Sequence, residues 1–228
     1  NDTATTEIYT RLFAAASDVY KRQIKYREEL KMRYKNIIFD FGNVIGKFKG
    51  DYILGKFAST PEDYNILADA IFKNWVALDA GTIDYDQNAE DTIAELPDRL
   101  KDTARDFFEN WFQYVDPLPE TWEFIKELKA RGVPIYLLSN ASTRFAERAP
   151  EDYPILKEFD GIVFSAPLKM AKPGHDIYYH LFNKYDLLPS ECFFIDDTVE
   201  NVIASKELGM ESILFTGDIE AVKRAIEF

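Results

Sequence analysis

The sequence predicts an α/β fold: a parallel sheet carries helices on both faces and is interrupted after its first strand by a small helical insertion. Three observations carry this reading. Apolar runs that end in polar residues recur at 36–40, 133–139 and 192–196, the signature of strands buried on both faces. From residue 133 onward such runs alternate with amphipathic helical segments, which calls for a parallel sheet with right-handed crossovers. Residues 51–114, by contrast, carry helical periodicity alone.

The first strand is the run NIIFD, and the small, turn-forming pair Gly42-Asn43 follows it. Asp40 therefore stands at the carboxyl end of a buried strand, where open α/β sheets place their ligands. In the insertion, Thr60-Pro61-Glu62-Asp63 is a helix start, with an N-cap threonine, proline at the first helical position and a carboxylate three residues on. Ile66, Leu67, Ala70, Ile71 and Trp75 mark one face of that helix, and Gly81 breaks it. Two further helices are expected at 84–96 and 98–114, the latter bearing Leu100, Ala104, Phe107, Phe108, Trp111 and Phe112. The segment Asp116-Pro117-Leu118-Pro119 ends the insertion and opens a helix whose Trp122, Ile125 and Leu128 face the sheet, and Arg131-Gly132 stops it. The remaining expectation is strand 133–139, helix 142–149, strand 161–165, helix 175–185, strand 192–196, helix 199–208, strand 211–215 and helix 218–227. The core then comprises residues 32–50 and 115–228, the insertion 51–114, and residues 1–31 form an N-terminal extension.

At 228 residues with 46% hydrophobic content, the chain has ample material for a packed interior. It holds 27 basic against 40 acidic residues, a net charge of −13, which argues against a nucleic-acid surface because phosphate backbones demand Lys and Arg in excess. The same charge repels phosphorylated ligands at long range, so any phosphate site has to be local, built from a few cations, backbone amides and a divalent metal. The single cysteine, Cys192 in the run ECFFI, excludes an internal disulfide and reads as an inert core thiol. No run approaches the roughly 18 apolar residues of a membrane span, and the N-terminus lacks the basic-then-apolar signature of a secretion signal. A cytoplasmic protein without a membrane or nucleic-acid partner, monomeric or weakly dimeric, is the expectation.

Residues 18–23, DVYKRQ, resemble the translated adapter of a sequencing library, which would make residues 1–23 a scar outside the fold. The alternative is a native helix, since Ile8, Leu12, Ala16 and Val19 or Tyr20 recur at helical spacing.

Four motifs stand in order along the chain: FDFGNV at Asp40, LLSN ending at Ser139 and Asn140, AKPG carrying Lys172, and FIDD ending at Asp196 and Asp197. Together they resemble the motifs of the haloacid dehalogenase superfamily, and with PEDYP at 150–154 they are most similar to its glucose-1-phosphatase-like branch. The resemblance covers residue 32 to the C-terminus. It implies a Rossmann-like core with a C1-type helical cap over the active site, and an enzyme that transfers phosphoryl groups through an aspartyl-phosphate. A Mg²⁺-dependent phosphatase acting on a small phosphorylated metabolite, most readily a sugar phosphate, is the activity it implies.

In that frame Asp40 is the nucleophile. Its attack on phosphorus requires the charge on the phosphoryl oxygens to be neutralised, because positioning and electrostatics dominate the barrier. Mg²⁺ prefers one or two carboxylates with other oxygens, so Asp40, Asp196 and the carbonyl of Gly42 form its expected shell, with Asp197 in or beside it. Ser139, Asn140 and the N–H groups of their turn make an uncharged anion cradle. Lys172, followed by Pro173, supplies the positive charge and keeps Asp40 ionised.

One position departs from the pattern. Most phosphatases of the superfamily have a second aspartate two residues after the nucleophile, where this chain has Gly42. Three explanations stay open: a leaving group that needs little protonation, such as a sugar 1-phosphate; halide as leaving group, as in a 2-haloacid dehalogenase; or a catalytically silent binding protein. The pair Asp196-Asp197 speaks against halide chemistry. Asp51 or a metal-polarised water could supply a proton instead. His175 and His180, five apart, are poorly spaced for a shared metal. Trp75, Asp79 and the turn Ala80-Gly81-Thr82 are expected near the cap opening, because LDAGTID resembles a recurring cap segment; a place in the bundle core suits Trp75 equally well.

Overall fold

A computed structural model describes residues 32–228; the N-terminal extension, with its choice between scar and helix, lies outside the described residues. The core is a five-stranded parallel sheet formed by β1 (Asn36–Phe39), β4 (Ile135–Ser139), β5 (Gly161–Phe164), β6 (Cys192–Asp196) and β7 (Glu211–Leu214). Its order is β5-β4-β1-β6-β7, so the strand that precedes Asp40 is central. Alternation along β1 sends Ile37 and Phe39 to one face and Ile38 to the other, and all three are fully buried. Helices α6 (Pro119–Ala130) and α10 (Ile219–Ala225) cover the first face with Phe124, Ile125, Leu128 and Val222. On the opposite face, α8 (His175–Tyr185) and α9 (Val199–Glu207) contribute Ile177, Tyr178, Leu181 and Ala204. Helix α7 (Thr143–Asp152) follows β4 and is capped by Ser142, whose side chain accepts the Phe145 N–H.

Residues 50–114 are helical: α1 (Gly50–Leu54), α2 (Pro61–Ile71), α3 (Trp75–Asp79), α4 (Tyr85–Glu95) and α5 (Asp98–Asn110). Thr60 caps α2 by accepting the Asp63 N–H, with Pro61 in the first turn, and Asp84 caps α4 through Gln87. Two of the long expected helices end early. The face running on to Trp75 breaks into a 3₁₀ turn at Phe72–Asn74, and the stretch 111–114 is a 3₁₀ turn after α5. Aromatic crowding accounts for both breaks, since Phe72, Trp75, Phe107 and Trp111 interlock with ring centroids 5.3–6.3 Å apart.

A two-stranded antiparallel ribbon, β2 (Gly46–Lys47) with β3 (Asp116–Pro117), ties the two ends of the insertion together. Two residues per strand leave no alternation to read in the sequence. Among the described residues no helix is long and apolar enough to cross a membrane.

Candidate active site

The parallel register gathers the sequence-predicted residues at one sheet edge. Phe39 pairs with Leu137 on β4 and with Ile195 on β6, so Asp40, Ser139 and Asp196 leave three adjacent strands at the same end. The Asp40 N–H donates to the Ile195 carbonyl at 2.9 Å, which locks its backbone beside that of Asp196. Lys172 arrives on the loop between β5 and α8.

Lys172 Nζ lies 2.8 Å from Asp40 Oδ1 and 2.6 Å from Asp196 Oδ2, all three groups being buried. Burial alone would discharge the ammonium, but the two carboxylates outweigh it and raise the Lys172 pKa. Asp40 is pushed up to about 6 by burial, against the pull of Lys172 and with the push of Asp196. The lysine loop is fixed by Asn140, whose amide donates to the Lys172 carbonyl at 2.8 Å and accepts its N–H at 2.9 Å. Ser139 is buried, and among the described residues its hydroxyl makes only a long contact of 3.4 Å to the Asn140 carbonyl.

Carboxylate oxygens of Asp40, Asp196 and Asp197 all lie within 4.8 Å of one another. Three carboxylates face one lysine, a charge imbalance that a divalent cation corrects, and hard oxygen donors of this kind suit Mg²⁺. The cluster thus fits a Mg²⁺ site, and Gly42 lines the same cavity. Neighbours that sequence reasoning passed over hold the acids in place. Asn201 Nδ2 reaches both oxygens of Asp196 at 3.1 Å, and the Thr198 N–H donates to Oδ1 at 2.8 Å. Asn43 Nδ2 donates to Asp197 at 2.9 Å while its Oδ1 accepts the Phe48 N–H. The position of Asn201, in the first turns of the helix after FIDD, was the available signal for it.

The cavity above the acids has a volume of about 440 Å³. Polar groups line it together with the rings of Phe48, Trp75, Trp111 and Phe145, and with Val76, which is 84% exposed. Trp111 stacks on Phe145 at 5.6 Å and spends its indole N–H on the Tyr85 hydroxyl. Trp75 serves both expected places, since it packs on Phe72 and Phe107 and also faces the cavity. Asp51 is not among the lining residues: it is exposed on α1 and accepts the Tyr52 N–H. Asp79, from the end of α3, does line the cavity. His175 instead pairs with Glu207 on the surface at 3.1 Å.

The segment of the helical insertion after α3 is clamped to the core. Ser165 Oγ accepts the Ala141 N–H at 2.8 Å and lies 2.5 Å from the Asp79 carbonyl. Gly81, at φ +66°, approaches so closely that a Cβ there would sit 2.1 Å from the Ala166 carbonyl oxygen.

Residues 34–209 match the model of the haloacid dehalogenase-like hydrolases. The chain belongs to that family. The sesquiterpene phosphatase astK of Aspergillus oryzae is 34% identical over 95 residues, 42% of this chain and 48% of that protein. A D-ribitol-5-phosphate phosphatase of Bacteroides thetaiotaomicron is 26% identical over 188 residues, 78% of this chain and 90% of its own length. The chain thus spans about half the length of the first of these relatives. A haloacid dehalogenase family enzyme of B. thetaiotaomicron, solved with magnesium and inorganic phosphate, superposes with a TM-score of 0.62 at 22% identity, over 83% of this chain and 98% of that one. At that identity the structural likeness speaks for the fold.

Proposed function

We propose that the chain is a Mg²⁺-dependent phosphatase that hydrolyses a small phosphorylated metabolite through a phosphoaspartate on Asp40. The observation that carries this reading is Lys172, buried between Asp40 and Asp196 at the edge where three parallel strands end. Asp40 is the nucleophile: one of its oxygens attacks phosphorus and the ester oxygen departs. Lys172, the Ser139 hydroxyl and the backbone N–H of Asn140 hold the transferred group, while the Asn140 side chain positions Lys172. Asp40, Asp196, Asp197 and the Gly42 carbonyl would hold Mg²⁺, which when bound neutralises charge on the phosphoryl oxygens.

The finer reading is a sugar phosphate. Likeness to the glucose-1-phosphatase-like branch supports it, as does the polyol phosphate in the name of the Bacteroides relative. Trp75 and Phe48 offer aromatic faces on which the apolar side of a sugar ring can rest. Hydrolysis of a panel of sugar phosphates at fixed Mg²⁺, with and without chelator, tests both levels. Activity abolished by chelation supports the phosphatase; halide release that survives chelation overturns it.

A further inference from the structure

Expelling an alkoxide from phosphorus requires a proton, and the loop after Asp40 offers none, since Gly42 stands where the chain turns back. Among the described residues, five that line the cavity can carry an ionisable proton: Asp40, Asp79, Lys172, Asp197 and Glu200. Asp40 and Asp197 belong to the carboxylate trio, Lys172 is committed to two carboxylates, and Glu200 is exposed on α9. Asp79 is the carboxyl that the cap brings to the cavity. Its backbone is pinned to Ser165, whose Oγ lies 2.5 Å from the Asp79 carbonyl, and the Gly81 contact with Ala166 holds the segment down.

We infer that Asp79 is the proton donor to the leaving-group oxygen, a role that rests on the phosphatase reading above. In the first step the Asp40 carboxylate forms the new bond to phosphorus, the bond from phosphorus to the ester oxygen breaks, and that oxygen takes the Asp79 proton and leaves as an alcohol. In the second step water gives a proton to the Asp79 carboxylate as its oxygen bonds to phosphorus. The bond from phosphorus to Asp40 then breaks, which releases inorganic phosphate and regenerates both acids. Burial and then the Asp40 charge push the Asp79 carboxyl up to about 7, while the Ser142 N–H and Lys172 pull the other way. An acid with those opposing influences gives up and regains a proton near neutrality. The enzyme is thereby equipped for ordinary alkyl phosphates as well as activated ones.

The test compares kcat/KM, which reports the first step, for an alkyl phosphate (β-glycerophosphate) and for 4-nitrophenyl phosphate, whose leaving group needs little protonation. In the full chain with Mg²⁺, Asp79→Asn is expected to cost about 10²–10⁴ on the alkyl ester and at least tenfold less on the aryl ester. Asp79→Glu is expected to recover part of the alkyl rate. Equal losses on both esters, or none on either, overturn the assignment of Asp79 while leaving the phosphatase standing. A wild-type chain that cleaves neither ester, nor any phosphate monoester in the panel, overturns the phosphatase reading and this role with it.

Discussion

The side-chain amide of Asn140 grips the backbone of Lys172 from both sides, donating to its carbonyl at 2.8 Å and accepting its N–H at 2.9 Å. The end of β4 thereby sets the position of the one ammonium between Asp40 and Asp196. Precision at the site follows from this contact, because a lysine side chain is otherwise the most flexible member of the cluster.

Removing that ammonium leaves two buried carboxylates unpaired. Lys172→Met is expected to destabilise the metal-free protein by about 3–5 kcal/mol, the usual result of orphaning a buried charge. Urea denaturation measures this. Phosphatase activity should fall by about 10²–10³, the scale of losing one preorganised electrostatic contact.

Divalent metal binding should stabilise the folded chain and not the unfolded one. At 100 times its dissociation constant, Mg²⁺ is expected to add about 2.7 kcal/mol, seen as a rise in melting temperature. Asp196→Asn should remove most of that rise, because Asp196 is the fully buried member of the carboxylate trio.

Asn201 holds both oxygens of Asp196 at 3.1 Å. Asn201→Leu is expected to weaken Mg²⁺ binding about 10–100-fold, as loss of a residue supporting a metal ligand does. Calorimetric titration of Mg²⁺ checks this without recourse to activity.

Any side chain at position 81 collides with the Ala166 carbonyl and strains a left-handed backbone. Gly81→Val is therefore expected to lift this segment of the helical insertion off the core, at a cost of about 1–3 kcal/mol. Thermal unfolding reads the stability loss, and kcat/KM should fall at least tenfold because Asp79 and Trp75 lie on the same segment.

Much of this was legible in the sequence because buried parallel strands announce themselves as apolar runs. β1 runs into Asp40 and β4 and β6 end at Ser139 and Asp196, so these three could be placed at one sheet edge before any coordinates. Lys172 was found from its motif, since a loop residue carries no periodicity. The β2–β3 ribbon escaped because its two-residue strands have no pattern, and the early ends of the inserted helices escaped because aromatic packing, not propensity, sets them. Asn43 and Asn201 were missed for a different reason. Each acts by hydrogen-bonding a carboxylate more than chemically, and an asparagine near a turn or helix start is ordinary. The sequence offers Asp51 as a proton source, but α1 carries it to the surface. Asp79, 39 positions from Asp40, reaches the cavity through the docking of the helical insertion on the core.

The central claim is that Asp40 becomes covalently phosphorylated. Acid quenching of the enzyme during turnover of a phosphate ester with Mg²⁺, followed by peptide mass spectrometry, measures it directly. The account predicts a phosphoryl group on the peptide containing Asp40, present in the wild type and lost in Asp40→Asn together with activity. Turnover at the wild-type rate by Asp40→Asn, or a phosphoryl group on a different residue, contradicts it.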